Sequence, residues 1–99
     1  MPKLRIDLQD GFTNDTVEIW LNDQRVARYE GITTDLRISL AQSHELELPQ
    51  GDYHAEIRLP VRAMSASIDL PLDQDLYLGV SISGDRIMLR LQAENFVYM

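Results

Sequence analysis

Residues 76–91 read LYLGVSISGDRIMLRL, and this stretch decides the fold. Apolar side chains alternate with polar or small ones on both sides of Gly84-Asp85, a dipeptide suited to a two-residue primed turn. Pairing Ser83 with Arg86 sets every apolar residue of one arm opposite an apolar residue of the other, on a single face. Because turn chemistry and hydrophobic pattern agree, the sequence predicts an antiparallel hairpin in this register.

The same period-two alternation recurs along most of the chain. It predicts further strands at residues 4–8, 17–21, 36–40, 45–48, 53–59 and 68–72, with a weaker one at 26–30. No window sustains apolar residues at helical spacing, so little or no helix is expected, and residues 40–43 are the best candidate for a single turn. Antiparallel strands with one polar face need a second sheet to cover the apolar face. The predicted fold is therefore all-β, a two-sheet antiparallel sandwich (Ig-like or prealbumin-like) of about eight short strands, forming one domain over residues 1–99.

A second hairpin is predicted around residues 22–24. A three-residue loop there would pair Glu18 with Arg28, whereas a two-residue loop at residues 23–24 would pair Leu21 with Val26. The first register is preferred because it creates a cross-strand ion pair.

Three stretches resemble transthyretin-like and PEGA-type β-sandwich domains. Residues 48–57, LPQGDYHAEI, are similar to their Leu-Pro-x-Gly-x-Tyr hairpin, and residues 17–26, VEIWLNDQRV, to their strand-turn-strand opening. Residues 33–36, TTDL, lie where such domains often carry a threonine-rich stretch. The resemblance covers about half the chain, residues 17–59, and implies a non-catalytic sandwich of seven or eight strands that serves as a structural or binding module.

Composition weighs against several classes of function. The chain has 99 residues, 44% of them hydrophobic and 25% charged, as is ordinary for a soluble globular domain. Sixteen acidic against nine basic residues give a net charge of −7, which opposes binding to nucleic acid or to an anionic membrane. The lack of cysteine excludes disulfides, thiolate nucleophiles and cysteine-ligated zinc, and is compatible with a cytoplasmic location. The first residues resemble a strand rather than a signal peptide, and no apolar run is long enough for a membrane helix.

The sequence offers little for catalysis or for binding a cofactor or metal. His54 and Glu56 share one face of a predicted strand, but nothing fixes a third partner, and a solvated polar face is the more usual outcome. The other histidine, His44, is expected in a turn, and no serine lies in a Gly-x-Ser-x-Gly elbow. We therefore expect no enzyme activity, no cofactor and no dedicated metal site. A weak calcium site would have to use loop residues that supply too few oxygens, either Asp10, Asn14 and Asp15 or Asp73 and Asp75.

Outward-facing aromatic and apolar residues are the most informative candidates. Trp20, Tyr77 and Met88 fall on the polar phase of their strands, where they would anchor a protein partner or stack on a sugar. The apolar terminus FVYM, residues 96–99, is expected to dock in β fashion, on its own sheet or on that of a neighbouring copy. The predicted interaction surface thus comprises Trp20, Tyr77, Met88, Phe96 and Tyr98. The predicted function is a structural or protein-interaction module that binds a protein partner or self-associates, for instance as a homodimer. The alternative is a carbohydrate or other small-ligand module that uses an exposed aromatic face.

Overall fold

A computed structural model describes residues 1–98. It contains eight strands: β1 (Lys3–Leu8), β2 (Asp15–Leu21), β3 (Gln24–Ile32), β4 (Gln42–Glu47), β5 (Gly51–Leu59), β6 (Met64–Leu72), β7 (Leu76–Ser83) and β8 (Arg86–Gln92). Within this part of the chain, the only helical segment is a three-residue 3-10 turn, Pro60–Arg62. The predicted all-β class with little or no helix is confirmed.

The strands form two four-stranded sheets that pack face to face. Sheet A has the order β4-β1-β7-β8, and sheet B has the order β3-β2-β5-β6. Every strand pair over residues 1–98 is antiparallel except β1–β7, which is parallel. The predicted two-sheet sandwich is confirmed, and this parallel pair is the departure from a purely antiparallel arrangement. β1 lies between β4 and β7 in sheet A, and the chain completes all four strands of sheet B before β7 pairs with β1.

The core lies between the two sheets and consists of the apolar phase of each strand. Alternation places successive side chains on opposite faces, so the apolar residues of every strand project inward together. Each fully buried aliphatic or aromatic side chain contributes roughly 1.5–3 kcal/mol by leaving water. The largest fully buried side chains, together with Phe12, are Leu4, Ile6, Leu8, Val17, Ile19, Ile57, Leu59, Leu70, Leu72, Leu78 and Val80.

The predicted register of the last hairpin is confirmed. Ser83 lies opposite Arg86, and Val80 lies opposite Leu89. Gly84 has a φ of +62°, a conformation that glycine adopts without the steric cost that a Cβ atom imposes.

For the β2–β3 hairpin, the predicted register is confirmed, but the predicted three-residue loop is wrong. Glu18 lies opposite Arg28, as preferred from the sequence. However, the turn contains only two residues, Asn22 and Asp23, with φ values of 48° and 65°. An irregularity in the ladder beyond Ile19 accommodates the additional residue of β3.

Residues 36–40 alternate like a strand, yet they form a turn. The Asp35 carboxylate accepts hydrogen bonds from both the backbone N–H and the guanidinium of Arg37. These bonds, the side-chain one foremost, lower the pKa of Asp35 to about 2. Such local side-chain bonds compete with a strand ladder, and Leu36 is left 89% exposed. The helical turn expected at residues 40–43 is also wrong, because β4 begins at Gln42.

The Leu-Pro-x-Gly-x-Tyr stretch links the two sheets. β4 pairs with β1 in sheet A, whereas β5 pairs with β2 and β6 in sheet B. Residues 48–50 therefore carry the chain from one layer to the other, and the expected hairpin across this turn is not formed.

Candidate functional site

The outer face of sheet A brings together four of the five predicted interaction residues. Tyr77 and Met88 project from it because their neighbours along β7 and β8 face the core. Phe96 and Tyr98 reach the same face from the C-terminal segment, which we define as residues 93–98. Trp20 projects from the opposite side of the sandwich, on the outer face of sheet B, and does not join them.

Phe96 docks on the sheet through its side chain. The residue is only 9% exposed, and a Cβ atom added to Gly79 would lie 2.9 Å from its ring atom Cζ. The guanidinium carbon of Arg90 lies 5.1 Å from the ring centroid, within the range of a cation–π contact. Residues 93–98 form no strand, so the expected β-type docking on the chain's own sheet is wrong; the segment covers the face of that sheet instead, and β-type docking on a neighbouring copy stays a prediction. Met99, the last residue of the predicted docking segment, lies outside the described residues.

Tyr98 completes a cluster of polar groups around Asp7, which has no exposed surface. The Asp7 carboxylate accepts hydrogen bonds from the Tyr98 hydroxyl at 2.5 Å, from Arg5 Nε at 2.8 Å and from Ser43 Oγ at 2.8 Å. The side-chain amide of Gln9 donates to the Tyr98 oxygen at 2.9 Å. Burial, followed by the hydrogen bond to Asp7, raises the pKa of Tyr98 to about 12. The hydroxyl therefore stays protonated at neutral pH and can act as the donor that closes this cluster.

Removing residues 96–99 is expected to lower the thermal midpoint by about 8 °C or more. Loss of Phe96 alone forfeits roughly 2 kcal/mol of apolar burial, and a domain of this size loses about 4–8 °C per kcal/mol. Because the segment docks on its own chain, calorimetry should give the same decrease at low and high protein concentration. The control is Val97→Ala, which changes an 89% exposed side chain and should leave the midpoint unaltered. A decrease that varies with concentration would instead place the docking between chains.

Two adjoining depressions flank the C-terminal segment. A cavity of about 490 Å³ lies between this segment and residues 37–39, with Asp10, Arg37 and Arg90 on its walls. A second cavity of about 290 Å³ lies beside Met88 and Gly79, and both cavities share Gln9, Ser81 and Arg90. Met88 itself is 51% exposed. This part of the face therefore combines an exposed apolar side chain, a shallow concave surface and the positive charge of Arg90.

Trp20 is engaged by its own sheet. The guanidinium carbon of Arg58 lies 4.0 Å from the centroid of its ring, and its Nε1–H donates to Glu18 at 3.1 Å. Glu18 also accepts a hydrogen bond from Arg28 at 2.8 Å. The bonds from Trp20 and Arg28, together with nearby arginine charge, lower the pKa of Glu18. One face of the indole is therefore already covered, which reduces its use as a stacking platform for a sugar.

The two predicted acid/base candidates on β5 have separate partners. His54 Nδ1 lies 2.8 Å from Asp69 Oδ1 on β6, and this hydrogen bond is the main cause of a raised pKa for His54. Glu56 instead accepts a hydrogen bond from Arg58 at 2.8 Å. His54 and Glu56 therefore belong to two separate ion pairs on the outer face of sheet B.

Two of the acids proposed for calcium, Asp15 and Asp75, already have other partners. Asp15 accepts two hydrogen bonds from Arg62, at 2.7 and 2.9 Å, which tie the 3-10 turn to β2. Asp75 accepts from the backbone N–H of Lys3 at 2.7 Å. Over residues 1–98, no three histidine or carboxylate side chains converge in a way that would hold a metal ion.

His44 was expected in a turn but lies in β4 and points between the sheets. Its Nδ1 atom is 2.5 Å from the Tyr29 hydroxyl, and the two rings meet edge to face. Its Nε2 atom is buried without a hydrogen-bond partner among the described residues. Burial lowers the pKa of His44, so the folded protein favours the neutral ring.

Acidification is expected to destabilise the protein through His44. The unfolded chain takes up a proton near the ordinary histidine pKa of about 6.5, whereas the folded chain resists protonation. This contribution to stability is therefore complete above that pH and is lost as the pH falls below it. The raised pKa of His54 acts in the opposite direction, so denaturant titrations from pH 7.5 to 5.5 should use His54→Gln as background. Adding His44→Gln should flatten the pH slope of that background, and an unchanged slope would contradict the assignment.

Comparison of the chain with protein-family models, with curated proteins and with solved structures finds no match. The resemblance of residues 17–59 to transthyretin-like and PEGA-type domains therefore stays a prediction. Among residues 1–98, no helix has the length and hydrophobicity needed to cross a bilayer.

Proposed function

We propose that this protein is a non-catalytic protein-interaction module whose binding surface is the outer face of sheet A. The observation that carries the proposal is the half-exposed Met88, which lies on that face with Tyr77 and with the docked side chains of Phe96 and Tyr98. Aromatic residues, methionine and arginine are the types enriched at protein interfaces. Met88 is half exposed beside a cavity that Arg90 also lines, so it is placed to enter a partner's surface.

The chemistry of this face favours a protein partner with acidic groups. Arg90 lines both cavities and pairs with no carboxylate among residues 1–98, whereas Arg37 is already paired with Asp35; the chain as a whole carries a net charge of −7. Such local positive charge attracts carboxylates, whereas the net charge opposes nucleic acid. We place the protein in the cytoplasm on the ground that it contains no cysteine, and we include a second copy of the chain among its partners.

A photo-crosslinking amino acid placed at Met88 in the native cell tests the proposal. We expect it to yield discrete protein adducts, because Met88 lies on the proposed surface. The matched control is the same amino acid at Val61, which is also exposed, at 82%, but lies in the 3-10 turn. Equal adduct patterns at both positions would contradict the proposal.

The alternative, a carbohydrate-binding module, makes a different prediction. A glycan array should then show binding that Tyr77→Ala or Trp20→Ala abolishes. The stacking of Arg58 on Trp20 makes Tyr77 the better candidate of the two.

A further inference from the structure

We propose that the free edge of β8 pairs with the β4 edge of a second copy of this chain, so that sheet A continues from one copy into the next. This inference rests on the proposed interaction function in naming a second copy as partner. It uses the edge of sheet A, which adjoins the outer face discussed above and shares Arg90 with it.

Both strands are available for such pairing. β4 and β8 are the two ends of sheet A, and each is hydrogen-bonded to a neighbouring strand on one side only. An edge strand presents backbone N–H and C=O groups that another strand can bind. The C-terminal segment leaves the β8 edge open, because its contacts run from Arg90 over Gly79 to Asp7, across the face of the sheet.

The two edges carry opposite charge. Along its length, β8 contains Arg86 and Arg90 and no carboxylate, whereas β4 contains Glu45 and Glu47 and no arginine or lysine. Each edge would therefore repel a copy of itself and attract the other. This pattern favours β8–β4 contacts over β8–β8 or β4–β4 contacts.

β4 and β8 also match in strand direction and in the faces on which their apolar and charged side chains lie. β4 is antiparallel to β1, β8 is antiparallel to β7, and β1 and β7 are parallel, so β4 and β8 run in the same direction. Two copies with sheet A facing the same way therefore meet as a parallel pair. In both strands the apolar phase, with Leu46 in β4 and Leu89 in β8, faces the core, and the charged phase faces outward. Any register that keeps leucine beside leucine thus sets the arginines on the same face as the glutamates.

The core side of β8 has room for an incoming strand. A cavity of about 610 Å³ opens between the start of β8 and the start of β6, with Ile87 and Met64 on its walls. Side chains from the core phase of an added strand would cover these two partly buried residues. The β8 edge thus offers main-chain groups, a recess that Ile87 and Met64 line in part, and arginines on the outer side, a combination that suits strand addition.

The expected association is open-ended and weak. A contact between two different edges does not close on itself, so copies add head to tail. One strand pair buries less area than the roughly 1,200–2,000 Å² of stable interfaces, so association should be concentration-dependent. Since exposed charges contribute, added salt should weaken it.

Sedimentation velocity over a concentration series tests the proposal with two charge-reversal variants, R86E/R90E and E45R/E47R. Wild type should show a mass that rises with concentration. Each variant alone carries like charge on both edges and should associate at least about tenfold more weakly, whereas an equimolar mixture restores opposite charge at every contact and should associate again. Circular dichroism verifies the folds, because Arg90 also contacts Phe96 and Glu45 lies 3.8 Å from Arg5.

A control variant separates edge charge from net charge. D52R/D73R changes the net charge as E45R/E47R does, but at two exposed positions outside both edges, and should keep the association of wild type. If either edge variant misfolds, the salt dependence of wild type decides instead, and association that 0.5 M NaCl leaves unchanged overturns the proposal. A monomeric wild type at millimolar concentration, or wild-type association in E45R/E47R, also overturns it. Crosslinking at Met88 that persists in E45R/E47R would support the proposed function independently of this edge.

Discussion

Gly11→Ala is expected to lower the free energy of unfolding by about 3 kcal/mol or more, although it adds a single methyl group. Gly11 has a φ of +88°, a region that favours glycine, and a Cβ atom there would overlap the backbone carbonyl oxygen of Ile82. That carbonyl cannot rotate away as a side chain would, because the Ile82 N–H donates to the Asp10 carbonyl at 2.8 Å and fixes the strand beside the loop. Chemical denaturation should show the loss as a shift of the midpoint.

Gly84→Ala is the matched control for this substitution. Gly84 also has a positive φ, +62°, but no atom beyond its chain neighbours lies within 4 Å of an added Cβ. The change therefore introduces backbone strain alone, which costs roughly 1–2 kcal/mol. Equal losses in the two variants would mean that strain, and not the clash with Ile82, determines the cost at Gly11.

The features that sequence analysis predicted correctly are set by local rules. The β7–β8 register follows from a turn dipeptide and flanking alternation that both lie within sixteen residues. The Glu18–Arg28 pairing follows from a nearby turn and an ion pair, although a ladder irregularity changed the loop. In both cases, neighbouring residues contain all the information that the pairing needs.

The predictions that failed concern features set by contacts between distant residues, or by side-chain hydrogen bonds that compete with strand pairing. Nothing near β1 in the sequence indicates its parallel partner, which lies some seventy residues along the chain. Residues 36–40 have a strand-like pattern, but the hydrogen bonds of Asp35 with Arg37 close a turn. Alternation predicted that Tyr77 and Met88 face outward, but it could not predict which sheet face they share with the C-terminal segment.

Asp7, the centre of the buried polar cluster in the candidate site, is the residue that sequence analysis missed. On β1 it has the phase of an ordinary solvated carboxylate. Its partner Ser43 is 36 positions away and Tyr98 is 91 positions away. The only local signal is Arg5, two residues earlier on the same face, and that spacing is common on exposed strands.

Asp7→Ala is expected to lower the free energy of unfolding by about 3 kcal/mol, because removing one member of a buried ion pair leaves its partners without compensation. Arg5 Nε, Ser43 Oγ and the Tyr98 hydroxyl would all lose their shared acceptor. The thermal midpoint should fall by about 12 °C or more. The C-terminal segment should also become more susceptible to carboxypeptidase, since Tyr98 then loses its bond to the sheet.

The control is Asp69→Ala, which removes a carboxylate that is also hydrogen-bonded but whose side chain is 91% exposed. Solvent screens such a pair, so the midpoint should hardly change. The thermal midpoint of Asp7→Asn should lie between those of Asp7→Ala and Asp69→Ala. The amide oxygen still accepts a hydrogen bond, but it carries no charge to pair with Arg5. If Asp7→Ala instead behaves like Asp69→Ala, the buried cluster does not hold Tyr98 in place. The C-terminal segment would then depend on Phe96 alone, and the outer face of sheet A would be a surface that the segment covers only part of the time.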